Sequence, residues 1–158
     1  MNWYGISSFS ALILDLFLGY FVYSKDKTNL ANIGFGLGSL TLGIWIFGDS
    51  IRSLAFLTDT TVLPLARISH AGASFFPACW LLFALALVDV HKRRALIAAY
   101  LVSTLLAIST LTTSLFIKGV SLTAISESNR WIIEEGSLYY VFVSYFVWAM
   151  IYGYYALV

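Results

Sequence analysis

Asp15 stands inside the apolar run from Trp3 to Tyr23, about 18 Å along a helix from Trp3 and about 12 Å from Tyr23. A charged, unpaired carboxylate at that depth costs several kcal/mol in a bilayer, so the side chain must turn towards other segments. There it can serve as a ligand contact, a proton site or an ion site, or be a neutral group hydrogen-bonded to a Ser or Thr of a neighbouring helix. Arg67 and His70 are one turn apart in a later run, on one sector and near one surface. They could receive an anionic ligand, pair with Asp49, Asp59 or Glu134, or act only as a cap and interface anchor. Their depth differs from that of Asp15 by about 10 Å or more, too far for direct pairing. Pro77 should kink the same run near its middle and free a backbone carbonyl, which shapes a cavity, a hinge or only a bend. Trp80 and Phe83 after it, with Phe75 and Phe76 before it, could line an apolar pocket or be plain core.

Little else in the chain supports chemistry. Cys79 lies beside Trp80 in apolar surroundings, where a thiol is inert. No HExxH, GxSxG or paired-carboxylate motif is present, and His91 within DVHKRR reads as a base at a membrane edge. One Cys and two His cannot form a structural zinc site, so neither a metal nor a cofactor is expected. The glycines of GFGLG invite comparison with a phosphate loop, but they lie inside an apolar run rather than between a strand and a helix. Gly34 and Gly38 have the small-xxx-small spacing that lets membrane helices approach closely, and Gly43 is a further candidate for helix packing.

The elements that must position these residues follow from composition. The chain has 158 residues, 60% hydrophobic and 11% charged, with mean hydropathy +0.86, whereas a soluble domain averages about 25% charged residues. A net charge of +1 leaves no basic face for nucleic acid. Continuous runs of about 20 apolar residues suit spanning helices rather than barrel strands. The expected fold is all-α, a polytopic bundle of five helices at about 3–23, 30–50, 65–88, 95–117 and 138–158, forming one transmembrane domain over 1–158. A turn at Thr58 to Thr61, followed by Pro64, should precede the third helix, and Gly119 to Gly136 should be a long polar connection around an amphipathic WII. The fourth helix presents Ser103, Thr110 and Ser114 on one face, fit for hydrogen bonds between helices.

The short connections carry five of the nine Lys and Arg on one side, at Lys25, Lys27, Lys92, Arg93 and Arg94. By the positive-inside rule that side is cytoplasmic, with Lys92, Arg93 and Arg94 as an anchor, the N-terminus outside and the C-terminus inside. The setting is the cell (inner) membrane, crossed several times.

Four stretches carry a resemblance. They are KTNLANIGFGLGSLTLGIWIFGDSIRSLA, with Phe35 and Trp45; RISHAGASFFPACWLLFALAL, with Arg67, Pro77 and Phe83; TTSLFIKGV; and GSLYYVFVSYF. Their order and spacing resemble the first five helices of the N-terminal seven-transmembrane sensor region of bacterial and archaeal histidine kinases. The resemblance implies a sensory input module of a two-component signalling protein, passing an unidentified stimulus by helix repacking to a cytoplasmic kinase or other output domain. Its partners would be the lipid bilayer, that output domain and a second copy of the chain as a homodimer. No catalytic residues carry over. A phosphoacceptor His should be followed by an acid, and here Ala71 follows His70 and Lys92 follows His91, so no enzyme activity is expected of this chain. By that resemblance two helices and the output would lie beyond Val158, and the expectation is a fragment or a truncated reading frame. Two other functions fit the composition. One is a small transporter or channel using Asp15 and the hydroxyl face, and the other a structural or assembly subunit docking through the aromatic fifth helix.

Overall fold

A computed structural model describes residues 3–52, 58–90, 92–125 and 128–158. Helix α1 (Trp3–Lys25) and helix α2 (Leu30–Arg52) are joined by a tight turn. Asp26 Oδ1 accepts the Thr28 amide at 2.9 Å and the Thr28 hydroxyl at 2.7 Å, and Asn29 Oδ1 caps α2 by accepting the Ala31 amide at 2.8 Å. The hydrogen bonds from Thr28 hold the exposed Asp26 carboxyl below the usual carboxylate range.

The third span is made of two helices. Helix α3 (Asp59–Ala73) and helix α4 (Phe76–Leu87) together cover one candidate membrane crossing. α3 starts six residues before the expected Leu65, and Pro64 lies inside it, not ahead of it. Pro64 forfeits only the bond to the Thr60 carbonyl, near the exposed start of the helix, so the helix tolerates it. Pro77 does more than bend a continuous helix. Its ring would meet the carbonyl of Ala73, and α3 ends there, with Pro77 in the first turn of α4. The backbone on the α3 side of the break is hydrogen-bonded inside the protein, as membrane depth requires. The Ser74 amide donates to the His70 carbonyl at 3.0 Å, the Ser74 hydroxyl donates to the same oxygen at 2.9 Å, and the Phe75 amide reaches the Gly72 carbonyl at 3.1 Å.

Helix α5 (Arg93–Thr112) is five residues shorter than expected at its end, because Thr113 is extended and a turn follows. The expected polar connection is instead an antiparallel hairpin of strand β1 (Ile117–Ile125) and strand β2 (Ser128–Glu135), pairing Val120 with Ile133 and Leu122 with Trp131. The hairpin is tied to helix α6 (Ser137–Leu157) through Gly136, whose amide donates to the Phe116 carbonyl at 2.9 Å. A Cβ at Gly136 would collide with the Leu115 carbonyl, so only glycine fits this crossing.

Among the described residues five segments are long and apolar enough to cross a membrane. α2 is the hub and packs on α1, α3 and α4; α4 also meets α5 and α6, and α3 meets α5 and β1. One core cluster joins Ala66, Leu106, Phe116, Ile117 and Phe142, and a second joins Ala78, Leu81, Ala99 and Ala149. The outward faces are apolar, with Ile13, Phe17, Leu105 and Ile151 exposed, as lipid contact demands.

Candidate sensory site

Two of the concave sites hold ligand candidates read from the sequence. The larger is a cleft of about 610 Å³ bounded by α1, the far half of α2, His70 of α3 and the strand β2. α2 brings Trp45, Asp49 and Arg52 to it at successive turns of one face, because positions 45, 49 and 52 follow the helical period. Arg52, only 5% exposed, pairs with Asp49 at 2.6 Å and directs Nε to the Gly48 carbonyl at 3.4 Å. A cation in the last turn of a helix also meets the negative end of its dipole. The hairpin adds Trp131, Ile132, Ile133 and Glu135. His70 is buried, with Nδ1 at 2.9 Å from the Ala66 carbonyl. That contact requires the proton on Nδ1, so Nε2 of the neutral ring is an acceptor. The ring sits edge-on to Trp45 at 6.2 Å and to Phe116 at 6.1 Å.

The smaller site is a cavity of about 190 Å³ between α1, α2 and α4. Asp15 of α1 meets Ser39 of α2 by a side-chain hydrogen bond, and its Oδ2 is buried without a partner. Gly34, Gly38, Trp80 and Phe83 complete much of the wall. α2 can come this close to α4 because a Cβ at Gly34 would stand 2.7 Å from the backbone nitrogen of Phe83. Leu42 lines both sites and separates them.

The expected site residues therefore divide. Asp15, Trp80, Gly34 and Gly38 come together, with Pro77 one residue from Phe76 of the same wall. Gly38 is not tight, its Cβ position being 3.7 Å from Cys79, whereas Gly43 faces α1, with Leu16 2.8 Å from its Cβ position. Arg67 parts from His70: it lines neither site, and its Nε is buried without a partner. The described ion pair of Asp49 is with Arg52 rather than Arg67. Trp80 Nε1 is also buried without a partner, and the indole packs against Gly153 of α6. Lys92 donates to the Tyr152 hydroxyl at 3.0 Å, and with Arg93 it lines a groove at the opposite end of the bundle. Of the fourth-helix hydroxyls, Ser103 reaches the Tyr145 hydroxyl of α6 at 3.1 Å, while Thr110 bonds back to Leu106. His91, Ser53 to Leu57 and Glu127 lie outside the described residues.

Arg52 and Ser39 escaped the reading of the sequence. The i, i+3 spacing of Asp49 and Arg52 is the signal that could have found the first. The second had none, because a serine in a glycine-rich helix does not reveal its partner.

Neither site aligns a nucleophile with a base, and among the described residues no cluster of three potential metal ligands occurs. The arrangement suits binding and repacking. Among curated proteins and among solved structures nothing matches the chain. Residues 7–158 do match the family described as the N-terminal 7TM region of histidine kinase, the sensory part that precedes the catalytic domain. With that match spanning nearly all of a chain built from apolar crossings, the chain belongs to this family and is a multi-pass membrane sensory input module of histidine kinase signalling.

Proposed function

We propose that the cleft receives the stimulus and that the signal leaves through the break between α3 and α4. The observation that supports this reading is the double engagement of His70. Its ring lines the cleft, while its carbonyl accepts both the amide and the hydroxyl of Ser74 at the break. A stimulus that turns His70 acts on the break directly. α4 can then move as a separate body, because Pro77 starts a new helix there. α2 shares the load, contributing Asp49 and Arg52 to the cleft and Gly34 to the contact with α4. Two packings separated by a few kcal/mol suffice for such a switch.

In this reading the basic connections at Lys25, Lys27, Lys92, Arg93 and Arg94 face the cytoplasm. The N-terminus, the cleft and the hairpin are then outside, and the inner end of α6 leads to a kinase or other output domain, with a second copy of the chain as partner. Pro77→Ala and His70→Phe, introduced into the full-length signalling protein, should each change output at unaltered membrane levels. Normal output from both variants, with normal expression, would remove the proposal.

A further inference from the structure

The cavity at Asp15 differs from the cleft in leaving a buried carboxylate oxygen unmatched. One carboxylate oxygen is engaged with Ser39, but Oδ2 is buried with no hydrogen-bond partner. Among the described residues no Lys, Arg or His lines the cavity, so this lining offers no countercharge of its own. The wall is aromatic: Phe35 and Phe83 have ring centroids 5.6 Å apart, Trp80 and Phe83 5.8 Å apart, and Phe76 completes it. A carboxylate facing several aromatic rings is the donor set that recognises an alkylated ammonium, since the ring faces attract the cation and the carboxylate meets its charge. A drug-sized ligand needs about 300 Å³ or more, whereas a cavity of about 150 Å³ already accepts benzene. At about 190 Å³ this one is sized for a ligand little larger than benzene.

We infer that the α1–α2–α4 cavity binds a small alkylated ammonium ion, with Asp15 as the anionic contact and Phe35, Phe76, Trp80 and Phe83 as the cage. The inference goes beyond the sensory reading of the cleft and does not depend on it, because its test reads binding and not signalling. Choline and its uncharged carbon isostere, 3,3-dimethylbutan-1-ol, are titrated calorimetrically into the protein in nanodiscs, with helix content and melting followed for every variant. Choline should bind saturably and at least tenfold more tightly than the isostere. Asp15→Asn should lose tenfold or more of the choline affinity and leave the isostere unchanged, and Phe35→Leu should weaken choline severalfold. A choline-induced change in the carboxyl infrared bands, absent in Asp15→Asn, would place the cation at that side chain. Absence of saturable choline binding, equal binding of the isostere, or full choline affinity in a folded Asp15→Asn would each overturn the inference.

Discussion

The cleft and the Asp15 cavity share Leu42 as a wall, yet they handle charge in opposite ways. In the cleft polar groups are met from within the chain at two places: Arg52 grips Asp49, and His70 donates from Nδ1 to the Ala66 carbonyl. In the cavity one oxygen of Asp15 is left unmatched, and among the described residues no cation lines it. The first arrangement makes a rigid polar wall that contributes to folding, and removing one partner strands the other. The second contributes little to folding and keeps its polarity available.

That contrast can be broken in several ways. The largest effect is expected where α2 meets α4, since both sites hang on this helix. Gly34→Leu drives a side chain into the Phe83 backbone and should cost about 3 kcal/mol. Gly38→Ala, where the added methyl finds ordinary room, should be neutral or stabilising by up to about 1 kcal/mol. Reversible unfolding in mixed micelles measures both, and equal losses would show that α2 does not rest on Gly34. Next comes Arg52→Met, which removes the guanidinium that Asp49 meets at 2.6 Å. Because Asp49 is 27% exposed, the loss should be nearer about 2 kcal/mol than the larger values of fully buried pairs, and Asp49→Asn in the same chain should recover much of it. Asp15→Asn should change stability by less than about 1 kcal/mol, since no ion pair is broken. A loss as large as that of Arg52→Met would erase the distinction between the two sites.

The smallest effect lies outside the membrane. Hydrogen bonds from Thr28 lower the Asp26 carboxyl in the folded chain, so their contribution is present above the unfolded value of about 3.9 and fades as pH falls through the folded one. Thr28→Ala should lower the unfolding midpoint slightly at neutral pH, and the gap to the parent should close in acid. A gap that persists or widens in acid would assign the effect to the loop backbone rather than to the carboxylate.

Much of the fold was legible because spanning helices announce themselves by length: α1, α2 and α6 fall within two residues of the expected limits. The hairpin did not, although Val120, Leu122 and Ala124 alternate with Ser121 and Thr123 as a strand should. Its short two-residue period was masked by the helical run before it. Pro77 was readable as a disturbance, but whether a proline bends or divides a helix depends on how the neighbouring backbone is held. Here the Ser74 amide and hydroxyl both close on the His70 carbonyl, and sequence does not show that. Arg67 and His70 looked like a pair because three residues are nearly one turn. The remaining offset of about 60° is enough to put the ring in the cleft and leave the guanidinium out of it. Asp15 was found by depth alone, while the rings around it come from two other helices, α2 and α4, whose contacts only the fold reveals.

The attachment of α1 carries one more consequence. α1 packs chiefly against α2, the next helix in the chain, through a four-residue turn already closed by Asp26 and Asn29. Most of its other faces, at Leu14, Phe17 and Tyr20, meet lipid. This pair can form as soon as both segments have entered the bilayer. The contact of Ala78 with the distant Ala149 must wait for α6, as contacts far apart in sequence do. During synthesis, then, the Asp15–Ser39 contact can be among the first interhelical polar contacts to form, before α4 supplies the rest of the cage.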